Sequence, residues 1–294
     1  MKQLTMICLL MITLIACKTE KKEPTETVEN NEKKETMELS NKDKVVALLN
    51  SFNTGDQTPA GYINPNKYIQ HNLAVGDGME GFGELMKLMP PEGFKANVVR
   101  AHQDGDFVFA HTAYDFFGPK AGFDIFRFED GKIVEHWDNL TEITVPNPSG
   151  RTQTDGSTEL KDSDKTEINK ALVKDFISTI LMKGEMDKLG NFIDNGEENY
   201  LQHNSVIADG LSGLGSALEG MAKQGISMEY KTIHKVLGEG NFVLAISEGA
   251  FAGQHTSFYD LFRVDNGKIV EHWDILETIL PESERKNTNG KFNF

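Results

Sequence analysis

Asp124, His136 and Asp138 form a set of two carboxylates and one imidazole. Asp260, His272 and Asp274 repeat it with the same spacing, 136 positions further on (124 to 260). If the fold brings the three together in a half-buried place, they will not titrate normally. Desolvation and like charge raise one Asp pKa, while an Asp–His contact favours imidazolium. Such a set supplies a general base and a general acid near neutral pH, and a well-placed pair contributes typically about 10²–10⁴-fold in rate. Tyr68 and His71, repeated as Tyr200 and His203, are the other recurring polar groups. In the same cavity they can bind substrate and donate hydrogen bonds to a developing oxyanion.

The bland readings stand beside this one. A His near an Asp can be a cross-strand ion pair, and Trp137 and Trp273 read as packing residues. Arg127 and Arg263 read as ion-pair partners of Glu135 and Glu271. His102 and His234 recur in weakly matched surroundings and read as structural. No ligand pair has a spacing specific to a metal, so no metal site is expected.

The repeated text is longer than the polar set. Tyr68-Ile69-Gln70-His71-Asn72 returns as Tyr200-Leu201-Gln202-His203-Asn204. Asp124-Ile125-Phe126-Arg127 and Gly131 to Asp138 return as Asp260-Leu261-Phe262-Arg263 and Gly267 to Asp274. Two copies of one domain are expected. A turn at Glu129-Asp130-Gly131-Lys132 joins the last two strands of the first copy. Read as a three-residue loop with Gly in a bulge, it pairs Phe128 with Lys132, Phe126 with Val134, Asp124 with His136 and Gly122 with Asp138. Side chains alternate along strands, so Asp124, His136 and Asp138 share one face. The same arithmetic at Asp265-Asn266-Gly267-Lys268 opposes Asp260 to His272, with Asp274 beside them. A two-residue loop would pair Asp124 with Trp137 and split the set. The opposite face carries Phe123, Ile125, Ile133 and Trp137, with Arg127 and Glu135 diagonal to each other. That apolar face is expected to pack on a second sheet, most simply the sibling copy, as an internal pseudo-dimer.

Each copy opens with a helix. Ser40 caps a run bearing Val45, Val46, Leu48, Leu49 and Phe52, and Ile168 to Ile180 repeats at helical spacing. Gly55 and Gly184 end these helices. A second helix carries Met79, Phe82, Leu85, Met86 and Met89, matched by Leu211, Leu214, Leu218 and Met221. Four strands follow in each copy: Phe94 to His102, Phe107 to Phe116, Phe123 to Phe128 and Ile133 to Ile143, then Met228 to Val236, Phe242 to Phe251, Phe258 to Val264 and Ile269 to Ile279. Helices first and meandering strands after define an α+β class, with helices on one face of a curved antiparallel sheet.

The chain has 294 residues and a net charge of −15. That length suits two domains of ordinary size, and the acidic balance disfavours nucleic acid as a partner. Lys2 and the apolar run from Leu4 to Ala16 have signal-peptide proportions. Leu14-Ile15-Ala16-Cys17 resembles a bacterial lipobox, which implies cleavage before Cys17 and lipidation of its thiol. The domains expected are 1–16 signal peptide, 17–40 disordered tether, 41–145 first domain, 146–163 linker, 164–281 second domain and 282–294 tail. The location expected is the cell envelope, with the membrane reached through the lipid on Cys17.

Together, the Tyr-Ile-Gln-His-Asn motif, the helix after Asp77-Gly78, and Asp-Ile-Phe-Arg followed by Asp-Gly-Lys-Ile-Val-Glu-His-Trp-Asp resemble the SnoaL-like polyketide cyclases. These belong to the nuclear-transport-factor-2-like, cystatin-like superfamily of α+β cones. The resemblance implies a cone with a pocket inside and aldol-type chemistry with no cofactor or metal. It places the acid/base Asp at Asp138 and Asp274, and His136 and His272 match a His of the cyclases. Two positions depart: an assisting His falls on Asp124 and Asp260, and a Gln falls on Gly122 and Phe258.

The functional reading is a cofactor-independent acid/base enzyme acting on a small carbonyl compound by aldol-type cyclisation or isomerisation. The alternatives are a non-catalytic module binding a small hydrophobic ligand and an interaction scaffold of the envelope.

Overall fold

The computed structural model describes residues 38–88, 93–194, 196 and 199–294. The signal peptide, Cys17, the tether as far as residue 37, and Met89 lie outside the described residues. Helix α1 (Asn41–Thr54) starts where the Ser40 side chain accepts the Asp43 N–H, and ends at Gly55, whose φ of 72° closes the C-terminus. Helix α2 (Gly78–Leu88) follows the short strand β1 (Ile69–Gln70). Strands β2 (Lys95–Asp104), β3 (Phe107–Asp115), β4 (Pro119–Glu129) and β5 (Lys132–Glu142) complete a sheet ordered β1-β5-β4-β3-β2. Strand β1 runs parallel to β5, and the other neighbours are antiparallel.

The second half repeats this plan. Helix α3 (Thr166–Phe176) continues as a π-helical stretch (Ile177–Met182), and Gly184 at φ 69° closes it. Then come β6 (Leu201–Gln202), α4 (Gly210–Lys223), β7 (Met228–Glu239), β8 (Phe242–Phe251), β9 (Gln254–Asp265) and β10 (Lys268–Thr278). The order β6-β10-β9-β8-β7 matches that of the first sheet. The structure is thus α+β, two five-stranded sheets with helices against them. Among the described residues no helix is long and apolar enough to cross a membrane.

The hairpin register differs from the sequence expectation. Asp130 and Gly131 both have positive φ (50° and 72°), as do Asn266 and Gly267 (50° and 74°). Each turn is therefore a two-residue type I′ loop, whose twist suits antiparallel strands. Glu129 pairs with Lys132 and Phe128 with Ile133. The register then slips by one, leaving Val134 unpaired, and Arg127 pairs with Glu135, Phe126 with His136 and Asp124 with Asp138. The second hairpin slips at Val270 and pairs Asp260 with Asp274 and Phe262 with His272. The His residues are thus not opposite Asp124 and Asp260; the two carboxylates of each half oppose each other. A short loop alone would have split the set, but the bulge restores parity. Arg127 and Glu135 are directly opposed, not diagonal, and Ile133 packs on the helix side with Phe126 and Phe128.

The helix-facing sides form one apolar cluster per half, around Val45, Leu48 and Leu49 in the first and Val173, Phe176 and Ile177 in the second. The opposite faces meet each other. Phe109, Phe123, Ile125 and Trp137 of the first sheet pack with Phe242, Leu244, Leu261 and Trp273 of the second. Buried Asn139 donates across this seam to the carbonyls of Ser257 and Ile275, both at 3.0 Å.

Residues 146–163 and 282–294 do more than connect. The first of these straps lies on the second half: Asn147 donates to the carbonyls of Gln202 (2.6 Å) and Ile207 (2.9 Å), and the Trp273 indole donates to the Asp155 carbonyl (2.9 Å). The second lies on the first half: Asn287 donates to the carbonyls of Asn72 (2.7 Å) and Val75 (2.9 Å), and Trp137 donates to the Asn293 carbonyl (3.1 Å). The strap after each half clasps the other half.

Replacing Asn287 with Ala strands two backbone carbonyls at a largely buried site. A stability loss of roughly 1–3 kcal/mol is expected, read as a lowered urea midpoint at unchanged slope.

Candidate active site

Each half encloses a cavity between its helices and sheet. The first measures about 280 Å³ and is lined mainly by apolar and aromatic side chains, including Phe52, Phe82, Phe94 and Phe116. Its polar lining is Tyr68, Gln70, Asn72, Tyr114, Asp124, His136 and Asp138. The second measures about 490 Å³, with Tyr200, Gln202, Asn204, Tyr230, His272 and Asp274 on its wall. A mostly apolar hollow with a few convergent polar groups is what small-molecule sites have.

The bulged hairpin sets the polar wall. Asp124 is buried and accepts two hydrogen bonds, from the Tyr114 hydroxyl to Oδ2 at 2.5 Å and from His136 Nε2 to Oδ1 at 3.3 Å. Both of its oxygens are occupied. Asp138, 7 % exposed, differs: Oδ2 accepts from the Asn72 amide at 3.0 Å, while buried Oδ1 has no partner. Of the two carboxylates, Asp138 therefore keeps a lone pair free for an incoming proton. The hydroxyl of Tyr68 accepts from Gln70 Nε2 at 3.4 Å and lies on the cavity wall. Burial, then the nearby Asp138 and Asp124, pushes the Tyr68 hydroxyl pKa up, so it stays protonated as a donor.

The second half has the same wiring with one exchange. His272 Nε2 reaches Asp260 Oδ1 at 3.0 Å, and the Asn204 amide reaches both oxygens of Asp274, at 3.0 and 2.8 Å. The phenol on Asp260 is Tyr230, 3.2 Å from each carboxylate oxygen. Tyr230 and Tyr114 are not equivalent positions. Asp124 faces Ala110 and Asp260 faces Ala245, so Tyr114 on β3 corresponds to Gly249 on β8. Tyr230 pairs with Gly249 as Ala96 pairs with Tyr114, so Tyr230 on β7 corresponds to Ala96 on β2. Each half brings a phenol to its buried Asp from a different strand. Burial, with its Asp close by, raises the pKa of each phenol well above the usual value.

The structure brings Asp124, His136, Asp138 and Tyr68 together, and likewise Asp260, His272, Asp274 and Tyr200, but excludes His71 and His203. These two face the other side of the sheet. His71 stacks on Trp137 at 4.3 Å and donates from Nδ1 to the Gly290 carbonyl at 2.7 Å. His203 stacks on Trp273 at 4.6 Å and bonds Thr152 and Glu271. Successive residues of a short strand point to opposite faces, so Gln70 and Gln202 take the inward place. The sequence reading missed Gln70, Asn72, Tyr114, Gln202, Asn204 and Tyr230. The first, second, fourth and fifth lie within the repeated motif, whose alternation held the signal. The two tyrosines occupy non-equivalent positions, so repetition hid them.

Ligating atoms of Asp124, His136 and Asp138 lie within 4.8 Å of one another, as do those of Asp260, His272 and Asp274. A cation there needs Nε2 bare and the ring proton on Nδ1. The Gln70 amide sits on Nδ1 of His136 at 3.2 Å and donates to it, as does the Gln202 amide to His272 at 3.1 Å. The ring is thus set against metal binding, because a ligating His donates from its other nitrogen.

No protein-family model and no curated protein matches the chain. Solved structures resemble it over about a third of its length. IdmH from Streptomyces antibioticus, described as a candidate polyketide cyclase, is 22% identical and covers 35% of this chain and 92% of its own, with a TM-score of 0.30. An NTF2-like protein from Cytophaga hutchinsonii is 18% identical and covers 36% of this chain and 94% of its own, with a TM-score of 0.32. A cystatin-like-fold protein from Xanthomonas campestris is 24% identical and covers 35% and 92%, with a TM-score of 0.31.

Burial raises the carboxyl pKa of Asp274. The folded chain then holds this proton more tightly than the unfolded chain, so stability falls as pH rises from the ordinary carboxyl value through the raised one. Asp274→Asn removes that loss. Its melting temperature is expected to exceed that of the parent by a few degrees at pH 8 and by less at pH 4, as read by calorimetry.

Proposed function

We propose that the first half is a cofactor-independent acid/base site acting on a small apolar carbonyl compound, by aldol-type cyclisation or isomerisation. The observation that supports this best is Asp138 Oδ1, a buried carboxylate oxygen without a partner on the wall of an apolar cavity. Asp138 removes a proton from the carbon next to the carbonyl, and the bonding pair becomes an enolate. The Tyr68 hydroxyl donates to the enolate oxygen in a site largely closed to water, where such a bond is stronger than in solution. Asn72 holds the carboxylate by its other oxygen. The proton on Asp138 then returns to carbon at another position, or the enolate attacks a second carbonyl of the same molecule and the alkoxide takes the proton. Atoms balance without any co-reactant.

The second half favours a different reading. Both oxygens of Asp274 accept from Asn204, and the cavity is larger. This arrangement suits binding an apolar ligand without turnover. We further propose that residues 41–145 and 164–281 are two domains paired as an internal pseudo-dimer, carried at the cell envelope by a lipid on Cys17.

The test is hydrogen–deuterium exchange at the α-carbon of a panel of apolar cyclic ketones in D₂O, followed by proton NMR with the detergent-solubilised full chain. The parent is expected to catalyse exchange, Asp138→Asn to lose it by roughly 10²–10⁴-fold, and Asp274→Asn to retain it. Exchange undiminished in Asp138→Asn, or absent from the parent with every ketone, refutes the enzymatic reading.

A further inference from the structure

We propose that Gln70 and Gln202 are positioning residues that hold His136 and His272 as neutral imidazoles carrying their proton on Nε2.

The direction of each amide follows from its surroundings. Gln70 Oε1 accepts the Asn72 backbone N–H at 2.8 Å. Gln202 Oε1 accepts two backbone N–H groups, of His203 at 2.9 Å and Asn204 at 3.0 Å. Turning either amide over would set its NH₂ against backbone donors. The oxygen is therefore committed, and the NH₂ faces the imidazole, 3.2 Å from His136 Nδ1 and 3.1 Å from His272 Nδ1. An amide NH₂ only donates, so Nδ1 must offer a lone pair. The ring proton then sits on Nε2, which donates to Asp124 in one half and Asp260 in the other. A carboxylate beside a His ordinarily draws a second proton onto the ring. Here that proton would lie against the amide donor, so the imidazolium expected from sequence gives way to a neutral ring.

The clamp is built from both halves. The Gln70 N–H donates to Asp77 (3.0 Å), and the Gln70 carbonyl accepts from Asn289 (2.9 Å) in the strap that follows the second half. The Gln202 N–H donates to Asp209 (2.9 Å), and its carbonyl accepts from Asn147 (2.6 Å) in the strap that follows the first. Each half thus fixes the residue that sets the other's imidazole. The inference concerns the resting protein and is independent of the proposed reaction.

The experiment is NMR of the full chain labelled with ¹⁵N in its histidines, with His136 and His272 assigned by single His→Gln variants. At neutral pH both rings are expected to show a pyridine-type Nδ1 and a pyrrole-type Nε2. The titratable groups facing His136 are Asp124 on β4, Asp138 on β5, Tyr114 on β3 and Tyr68 before β1. All of them remain in Gln70→Glu, which adds a carboxylate at Nδ1. That variant is expected to become doubly protonated and to move the His136 titration up by about one to three units, with His272 unchanged. Gln202→Glu should do the converse, so the result does not hang on one variant folding. A parent His136 or His272 with its proton on Nδ1, or doubly protonated at neutral pH, overturns the inference, as does a Gln→Glu pair that leaves both spectra unaltered. These spectra do not depend on turnover, so a failure of ketone exchange and a failure of the clamp are separate results.

Discussion

One unpaired residue in each terminal hairpin decides where the chemistry-bearing groups point. The Asp-Gly and Asn-Gly turns close tightly, which would put Asp124 and Asp138 on opposite faces. The slip at Val134, and at Val270 in the second half, moves every later residue of β5 and β10 by one place. Because strand side chains alternate with a period of two, that step reverses which face each side chain occupies. His136 and Asp138 turn inward to the cavity, and Trp137 turns outward to the seam between the sheets. Without the slip the Trp would enter the pocket and the carboxylate would enter an apolar interface, where a charge without a partner is costly. Packing of the seam and polarity of the pocket are thus set by the same backbone feature.

The outward face then explains the straps. A Trp indole buried at a seam needs an acceptor for its N–H. Strand neighbours cannot supply one, because their carbonyls are engaged in the ladder. In each half a carbonyl of the strap provides it; Asn147 holds its strap down by capping the carbonyls of Gln202 in β6 and Ile207 after it, and Asn287 by capping those of Asn72 and Val75 after β1. Trp137, His71 and Phe294 form one stack at this face. The exchange of straps ties the seam to the Gln-His-Asn loops, and those loops carry Gln70, Asn72, Gln202 and Asn204 into the pockets. Burial on one side of the sheet therefore orients polar groups on the other.

Much of this was legible in the sequence. The repeated motifs disclosed two α+β units, and alternation put two carboxylates and an imidazole on one face, because the true register and the expected one have the same parity. The pairing itself was misread: a bulge depends on local twist and on the edge strand lying against it, and neither leaves a compositional mark. His71 and His203 were misassigned for a related reason. Strand β1 is two residues long, too short to show periodicity, so nothing distinguished the inward Gln from the outward His. The straps, rich in Asn, Gly and Ser, read as a linker and a tail because much of their contribution comes from backbone carbonyls and single amide groups, with apolar contacts at the seam from Phe292 and Phe294.

The two halves differ most where their sites agree best. In the first, Ala96 on β2 opposes Tyr114 on β3, and Gly122 on β4 lies diagonal to Tyr114, opposite Thr112. The corresponding positions in the second are Tyr230 opposing Gly249, with Phe258 diagonal to Gly249 and opposite Ser247. A Cβ on Gly122 would lie 2.8 Å from the Tyr114 ring, so glycine there admits the phenol. In the second half the ring has moved one strand over, and Gly249 leaves the place that Tyr114 fills in the first half. Phe258, at the position that Gly122 holds in the first half, packs against Tyr230 at 4.3 Å. Packing alone would accept many such rearrangements, most without a hydroxyl. That both solutions bring a Tyr hydroxyl to the buried Asp points to a requirement on the carboxylate. It must be fully hydrogen-bonded, and in each half a phenol and an imidazole both reach it.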